Sequence, residues 1–388
     1  IFTRIMQNEL PGFIFELKYR MPDGTGIYVN SYNNASKYQM EVHTKALYDN
    51  LEKAVNIIEE VLTKTKFDDY KRLKEILEET KSRLNKSIIQ SGNVASRMRT
   101  MSYYGSESYI RELLSGIAFY KFVEELLDDF DNKKEEIAKK ISDTVKYVFR
   151  KDNITINYAG NKESFEKVKA LVSNLQQKMN EPVDFKESFD GWTFEKNEKN
   201  EGFTTSGQVQ YVARCGNFID QGAEYTGALQ VLKVIMGYEY LWQNIRVKGG
   251  AYGCMSNFNR IGEGYFVSYR DPNLERTMEI YEGVADYLRT FTVSDFDMNK
   301  YIIGTISNLD QPMTPALKGD RSMNLYMNHV TEDMIKEERA QVLEATQEDI
   351  RGLAGIVEAM MKAEQICVIG SEDKIEEAKD MFDTVTGF

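Results

Sequence analysis

The chain has 388 residues, enough for two or three domains at about 150 residues each, and 42% of them are hydrophobic, which is typical of a globular protein with a sizeable core. Lysine and arginine number 49 against 61 aspartates and glutamates, which gives a formal net charge of -12. This acidity disfavours nucleic acid and membrane surfaces as partners, because both present phosphates that bind basic proteins. A cationic peptide remains compatible with it.

The sequence contains no apolar run of the roughly 20 residues that a membrane-spanning helix needs. The richest stretch, at 228–242, is interrupted by Lys233 and Glu239 and indicates a buried amphipathic helix. The chain begins at Ile1 without a recognisable signal peptide, which favours a processed chain or a fragment of a longer protein. Scattered cysteines fit neither a disulfide framework nor a metal-binding pair, so we expect a reducing compartment, the cytoplasm. They are Cys215, Cys254 and Cys367.

In chain order, the first half predicts two short extended segments, four long helices, one alternating strand and a closing helix. These elements are expected at 12–19, 26–31, 48–62, 67–90, 109–127, 133–149, 154–160 and 162–175. The second half predicts a strand, a long helix, a hairpin of two strands, further helices, and a closing strand and helix. The clearest of these are expected at 205–214, 223–248, 252–258, 264–270, 347–361, 366–370 and 373–382.

The closing strand and helix of the second half resemble those of the first. Aligning Gly160 with Gly370 pairs Phe165 with Ile375, and helices precede both strands in the same order. A series of matches in one order indicates duplication. We therefore predict two related units, each a mainly antiparallel sheet covered on one side by helices, which is an α+β fold class.

The predicted units have defined boundaries. The first spans residues 1–177 and is incomplete at its N-terminal end, because it has no room for the leading strand and helix of the second. A segment at 178–203, rich in Asn, Glu, Lys and Gly, is predicted to be a linker. The second unit spans residues 204–388.

The sequence has only two histidines, His43 and His329, far apart in the chain. A catalytic zinc usually takes three protein ligands, commonly including two histidines close together on one helix. Neither HExxH nor HxxEH occurs, nor GxSxG, a Walker A motif or a dinucleotide-binding fingerprint. A strand-to-helix passage for His43 and a helix-end position for His329 explain both residues without a metal. We therefore predict no metal site and no complete catalytic centre in this chain.

The most informative segment, at 245–253, has the sequence IRVKGGAYG. A helix that ends here places Arg246 in its last turn, Gly249 and Gly250 supply a left-handed stop, and Tyr252 begins the next strand. The guanidinium and the phenol then meet where a helix end joins a sheet. A peptide that adds to the sheet edge there would find two hydrogen-bond donors near its scissile carbonyl, and the glycines would allow close approach. Stabilisation of a helix C-terminus by Arg246 is the simpler alternative.

This segment and the later YFVSYRDPN, together with NVASR at 93–97, resemble the C-terminal half of the presequence-protease family. These proteins are metallopeptidases of the insulysin and pitrilysin clan. The resemblance implies a half built from two related α+β domains, of the metallohydrolase type found in insulysin and the mitochondrial processing peptidase, that closes with another half over a peptide chamber. It covers nearly the whole chain.

In that family the zinc, HxxEH and a downstream glutamate belong to the N-terminal half, so the resemblance implies no metal ligand here and zinc in a partner half. Arg246 and Tyr252 match the residues that reach across the chamber, hold the substrate carbonyl and stabilise the oxyanion. Gly249 and Gly250 accompany them as substrate-binding residues. The implied partners are a peptide substrate and the N-terminal catalytic half of the same protein, and the chain alone is expected to be inactive.

Three hypotheses about function remain open at this point. The first is the substrate-binding half of a zinc endopeptidase that degrades unfolded peptides. The second is a non-catalytic scaffold subunit of the same clan, for which Arg246 and Tyr252 together would not be needed. The third is a stand-alone module that binds peptides without closure.

Overall fold

The computed structural model describes residues 16–18, 41–152, 154–182, 194 and 199–388. Their contacts form two compact units. The first contains the described residues within 1–79, 124–192 and 313–329, and the second those within 80–123, 193–312 and 330–388. These units do not follow the predicted division at 178–203, because residues 80–123 pack with the later part of the chain.

The helices of the described residues are numbered here in chain order. They are α1 (Leu51–Lys64), α2 (Tyr70–Gln90), α3 (Gly92–Met101), α4 (Ser106–Ser115), α5 (Ile117–Asp128), α6 (Phe130–Val148), α7 (Lys162–Lys178), α8 (Ala228–Tyr238), α9 (Glu275–Glu282), α10 (Val284–Arg289), α11 (Asp295–Leu309), α12 (Pro315–Met327), α13 (Glu332–Leu343), α14 (Gln347–Gly352), α15 (Ala354–Met361) and α16 (Glu372–Glu377). The strands are β1 (Glu16–Lys18), β2 (Glu41–His43), β3 (Glu201–Thr205), β4 (Tyr211–Asn217), β5 (Gly253–Phe258), β6 (Glu263–Tyr269), β7 (Gln365–Ser371) and β8 (Thr384–Gly387).

The first unit has its hydrophobic cluster between α1 and α7. Val55, Ile58 and Leu62 follow one another at helical spacing along one face of α1 and are buried with Leu175 of α7. β1 and β2 form an antiparallel pair in this unit. Burial of the apolar faces of two helices thus explains why these segments are helical.

Two predictions about the first unit need correction or fall outside the described residues. The predicted strand at 154–160 is wrong, because it pairs with no strand in the part of the chain that the structure describes and Ile156 is exposed. The predicted extended segments at 12–19 and 26–31 lie outside the described residues, except for residues 16–18 in β1. The duplication itself remains a prediction.

The predicted linker is structured at both of its ends. Helix α7, expected at 162–175, continues to Lys178, and β3 begins at Glu201. Most of the residues between them lie outside the described part of the chain.

The second unit is built on a six-stranded sheet with the order β5-β6-β4-β7-β3-β8. Neighbouring strands are antiparallel from β5 to β7, whereas β3 runs parallel to both β7 and β8. The expected α+β class with a mainly antiparallel sheet is confirmed. The predicted hairpin at 252–258 and 264–270 is also confirmed, to within one residue at each end, as β5 and β6.

The predicted strand at 205–214 is instead two strands, β3 and β4. The chain turns after β3, where the Gly207 N–H donates to the Thr205 hydroxyl at 3.2 Å. Gln210 then pairs with Asp271 through two backbone hydrogen bonds of 2.7 and 2.8 Å. The two strands therefore take separate places in the sheet, with β7 between them.

Both faces of this sheet are buried, whereas the sequence suggested cover on one side only. Val212 and Phe266 point into the main core, formed with the helices that follow β4 and β6. Their strand neighbours Ala213 and Val267 point to the opposite face, where they pack with Tyr104 at the end of α3. Nearly continuous apolar strands are typical of sheets covered on both sides, and β4 and β7 have this pattern.

The junction of α2 and α3 fits tightly against β4. The Tyr211 hydroxyl donates to the Ile89 carbonyl at 3.0 Å. A Cβ placed on Gly92 would lie 2.1 Å from the Tyr211 ring. Only glycine therefore allows the ring to seat at this corner.

Gly92→Ala is expected to lower the free energy of unfolding by about 1–3 kcal/mol, because an added methyl group must displace a packed ring. Gly355→Ala is the matched control, since a Cβ there meets nothing within 4 Å. In an exposed helix that change is expected to stabilise the protein by up to about 1 kcal/mol. Urea unfolding of the two variants measures both effects. Equal stability of Gly92→Ala and the wild type would contradict the described packing.

A buried ionic network ties α3 to β3 and to the start of α5. The Arg99 Nε and Nη2 atoms donate to the two carboxylate oxygens of Glu201 at 2.5 and 3.1 Å, and the Tyr103 hydroxyl donates to the same carboxylate at 2.5 Å. The Arg99 Nη1 atom also contacts Glu112 at 3.4 Å. Glu112 Oε1 accepts the Ala118 N–H at 3.0 Å. One guanidinium therefore serves two carboxylates.

The two carboxylates of this network titrate in opposite directions. Burial raises the pKa of Glu112, although Arg99 acts against it. Burial would also raise the pKa of Glu201, but hydrogen bonding and charge from Arg99 hold it below its ordinary value. The Glu112 Oε2 atom has no hydrogen-bond partner among the described residues. Arg99 is thus the group on which the ionised state of the network depends.

Candidate functional site

Arg246 lies at the end of a short π-helical segment, Trp242–Val247. The sequence predicted one helix over residues 223–248. That helix is interrupted, because α8 covers only Ala228–Tyr238 and the chain departs from helical dihedrals at Glu239. Arg246 is nevertheless in the last helical turn, as predicted.

The two glycines after Arg246 have different local roles. Gly250 has a φ of 82° and its N–H donates to the Arg246 carbonyl at 3.0 Å, so the predicted left-handed stop is confirmed at this residue. Gly249 is not left-handed, but a Cβ there would lie 2.4 Å from the Ile245 carbonyl oxygen. The end of the helix thus accounts for both glycines. Their contact with substrate stays a prediction.

Tyr252 leads into β5, and its side chain is 65% exposed. Its N–H donates to the Tyr269 carbonyl at 3.1 Å, which fixes its backbone to β6. The Arg246 guanidinium donates to the Tyr252 carbonyl, and its Cζ atom lies 5.5 Å from the centroid of the Tyr252 ring. The structure thus brings the guanidinium and the phenol side by side where the helix end meets the sheet.

Two aromatic residues that the sequence analysis missed support this pair. The Arg246 Cζ atom lies 4.3 Å from the Trp242 ring centroid, and the Tyr252 ring meets Tyr269 edge-on at 5.7 Å. Cation–π and edge-to-face contacts of this kind fix side chains that would otherwise be mobile. The four-residue spacing of Trp242 and Arg246 on one helical face was the available signal for the first. Tyr269 had none, because its contact depends on strand pairing.

The segment after β6 holds the glycine pair in place. Asp271 is fully buried and accepts the Asn273 N–H at 2.9 Å and the Thr277 hydroxyl at 2.7 Å. Burial raises its pKa, and these hydrogen bonds act in the opposite direction. The Asn273 side chain donates to the Gly249 carbonyl at 2.7 Å. The predicted strand-to-helix corner is present, but neither residue caps α9, whose N-cap is Leu274.

Strand β5 lies at one edge of the six-stranded sheet, next to Tyr252. Its only strand partner among the described residues is β6. An edge strand of this kind can accept an extended peptide as an additional strand. The donors of Arg246 and Tyr252 lie at its first residue.

The histidines lie apart from this site in the chain. His43 is the last residue of β2, and His329 follows α12 with a φ of 52°. Across 41–152, 154–182 and 199–388 there is no cluster of three or more His, Cys, Asp or Glu residues with the geometry of a metal site. Among the same residues, no helix is both long and apolar enough to cross a membrane.

Comparison with known proteins places this fold and site in context. Residues 200–372 match the family model described as the PreP C-terminal domain, and residues 24–126 match the model of the associated domain of M16 peptidases, subfamily C. Protein HypA of Clostridium perfringens (strain 13 / Type A) is 38% identical over 353 residues, which are 91% of this chain and 36% of that protein. Presequence protease 1, chloroplastic/mitochondrial, of Arabidopsis thaliana is 26% identical over 296 residues, 76% of this chain and 27% of that protein.

A solved structure, the peptidase M16 inactive domain from Pseudomonas fluorescens, superimposes with a TM-score of 0.53 at 15% identity and covers 93% of this chain and 81% of that one. At that identity the likeness concerns the fold alone. The chain spans about a third, or less, of the length of the two curated relatives. Two family matches in consecutive order, on a fold found in M16 proteins, show that this chain belongs to the M16 peptidases and corresponds to the C-terminal half of a presequence-protease-type protein.

Proposed function

We propose that this chain is the C-terminal, substrate-binding half of a zinc-dependent endopeptidase that degrades unfolded peptides in a closed chamber. The observation that carries the proposal is the pairing of Arg246 with an exposed Tyr252 beside an edge strand. In this proposal the zinc site belongs to an N-terminal half of the same protein that carries HxxEH. The described residues offer no set of ligands for it.

Arg246 and Tyr252 would hold the carbonyl oxygen of the peptide bond that is cleaved. Negative charge develops on this oxygen as the nucleophile adds, and hydrogen-bond donors that are already in place stabilise that charge. Trp242 and the Tyr252 carbonyl hold the Arg246 guanidinium in one position. Little reorganisation is then needed at the moment of reaction.

The peptide would lie along β5 as an added strand. Backbone hydrogen bonds to an edge strand bind any extended sequence, which suits an enzyme for unfolded peptides. Gly249 and Gly250 have no side chains to obstruct the peptide at the start of this strand. Asn273 keeps their backbone in place through the Gly249 carbonyl.

A non-catalytic scaffold or peptide-binding subunit is the alternative. A structural neighbour of this chain is described as an inactive M16 domain. The two functions differ in what they require, because a scaffold has no need of paired donors at an exposed edge.

The test of the proposed function starts with the chain alone and proceeds to the assembled protein. The chain is purified, its zinc content is measured, and cleavage of an unstructured basic peptide is followed with added zinc. We expect neither stoichiometric zinc nor cleavage. A half that carries HxxEH is then joined to the chain, and cleavage that a chelator abolishes is expected to appear.

Either of two results would contradict the proposal. Chelator-sensitive cleavage by the chain alone would mean that it contains its own metal site. An assembled protein that binds peptide but cleaves none, with zinc bound, would favour the scaffold alternative.

A further inference from the structure

Arg270, the residue after β6, has a backbone conformation that arginine rarely adopts. Its φ is 49°, in the left-handed region, where a side chain with a Cβ costs about 1 kcal/mol or more. Its carbonyl accepts the Tyr252 N–H at 3.3 Å, and the next residue, Asp271, is paired with Gln210. The conformation is therefore imposed from both sides. Glycine or asparagine would fit it better, so the arginine side chain itself must account for the choice.

The side chain of Arg270 is exposed beside the candidate site. Its Cζ atom lies 5.5 Å from the centroid of the Tyr269 ring, and the same ring meets Tyr252 edge-on. Burial raises the pKa of Tyr211, and the Arg270 guanidinium acts in the opposite direction, which places its charge near that hydroxyl too. Tyr269 thus lies between Arg270 and the Tyr252 side chain.

Neither Arg270 nor Arg246 forms an ion pair with any carboxylate of the described residues, although the chain is rich in acids. Other partly exposed arginines do: Arg289 pairs with Glu358, and Arg339 contacts both oxygens of Asp310 at 2.6 and 2.7 Å. Two guanidiniums on neighbouring tyrosines, without a carboxylate from the described residues, therefore form a local positive surface in an acidic protein. A guanidinium stacked on a ring keeps its N–H edge free, and this edge matches a carboxylate.

We propose that Arg270 is a specificity-determining residue that binds a carboxylate of the peptide next to the carbonyl held by Arg246 and Tyr252. This inference rests on the proposed function. The carboxylate comes either from an acidic side chain near the cleaved bond or from the C-terminus of the peptide. Both present the same planar acceptor, and the experiment separates them.

The test uses the protein in which this chain is joined to its N-terminal half. One quenched fluorescent peptide is made with Glu or Gln at each of three positions on either side of the cleaved bond, and with a free or an amidated C-terminus. The value of kcat/KM is measured for the wild type, Arg270→Asn and Arg270→Lys. Arg276→Gln is the control for net charge, because it removes an exposed arginine of α9 that has no carboxylate partner among the described residues.

The wild type is expected to cleave the carboxylate-bearing peptide about tenfold faster than its neutral counterpart, since tenfold corresponds to about 1.4 kcal/mol. Arg270→Asn should remove this preference, Arg270→Lys should keep part of it, and Arg276→Gln should keep all of it. Arg270→Glu should reverse it, so that a Lys-bearing peptide is preferred. Because asparagine tolerates φ values above zero, the Tm of Arg270→Asn should equal or exceed that of the wild type.

The outcomes separate this inference from the proposed function. If Arg246→Ala lowers cleavage but the wild type does not distinguish the paired peptides, or Arg270→Asn keeps the preference, the inference about Arg270 is overturned and the proposed function stands. A lower Tm with an unchanged preference would identify Arg270 as a structural residue and would also overturn it. If Arg246→Ala leaves cleavage unchanged, the proposed function itself fails.

Discussion

Arg246→Ala is expected to lower the kcat of the assembled enzyme for unstructured peptides by about 10²–10³-fold, the usual effect of removing one oxyanion-binding donor. The loss should appear in kcat more than in KM, because the donor acts most strongly when charge develops on the carbonyl oxygen. Tyr252→Phe removes a single hydroxyl and keeps the ring that contacts Tyr269 and Arg246. It should therefore lower kcat with little change in Tm.

The double variant tests whether the two residues act on one oxygen. If they do, the second substitution should cost much less in the background of the first, since groups that act as a unit are not additive. Lys248→Ala is the matched control, because Lys248 is an exposed cation two residues from Arg246 whose Nζ atom donates to the Asn244 side chain at 3.3 Å. Unchanged turnover in both Arg246→Ala and Tyr252→Phe would show that the site assignment is wrong.

Arg99→Met is expected to destabilise the fold by about 3–5 kcal/mol, the usual cost of removing one partner from a buried ion pair. It leaves Glu201 and Glu112 as buried carboxylates without their shared cation. Adding Glu201→Gln should restore part of the loss. Arg339→Met is the control, because its ion pair with Asp310 is exposed and is expected to be worth less than about 1 kcal/mol.

The same variant has an expected pH dependence. The pKa of Glu201 is lowered in the folded protein, so its ionised form contributes stability above its ordinary pKa, and this contribution is lost as pH falls through the folded value. Without Arg99 only burial remains, which raises the pKa and makes the ionised carboxylate destabilising at neutral pH. The stability difference between wild type and Arg99→Met should therefore narrow between pH 7 and about pH 4. A constant difference in urea unfolding over that range would contradict this account.

The structure also explains why sequence patterns located some elements and not others. The β5–β6 hairpin and the left-handed stop at Gly250 follow from short-range chemistry, namely alternating apolar residues and glycine after a helix. The predicted strand at 154–160 has the same alternation, but no described strand pairs with it. Alternation alone does not supply a partner strand.

The boundary between units was misplaced for a related reason. Helix α3 lies more than one hundred residues before β4 in sequence, yet it covers the outer face of that strand and contributes Arg99 to the contact with Glu201. No local feature of α3 indicates this partner. The apolar pattern of β4 on both of its faces was a signal that the sheet needed a second cover, but it did not indicate which helix provides it.

The sequence by itself determined the α+β class, the family and the pair Arg246 and Tyr252, because spacing along a helix end and a strand start requires only neighbouring residues. The tertiary structure alone decided that Trp242 and Tyr269 support this pair, that Arg270 flanks it from a left-handed backbone, and that residues 80–123 belong with the six-stranded sheet. Each of these depends on contacts between strands, or between a helix and a sheet, that are distant in the chain. Such contacts arise from the burial of apolar area and the pairing of charges in the folded state, which no local pattern encodes.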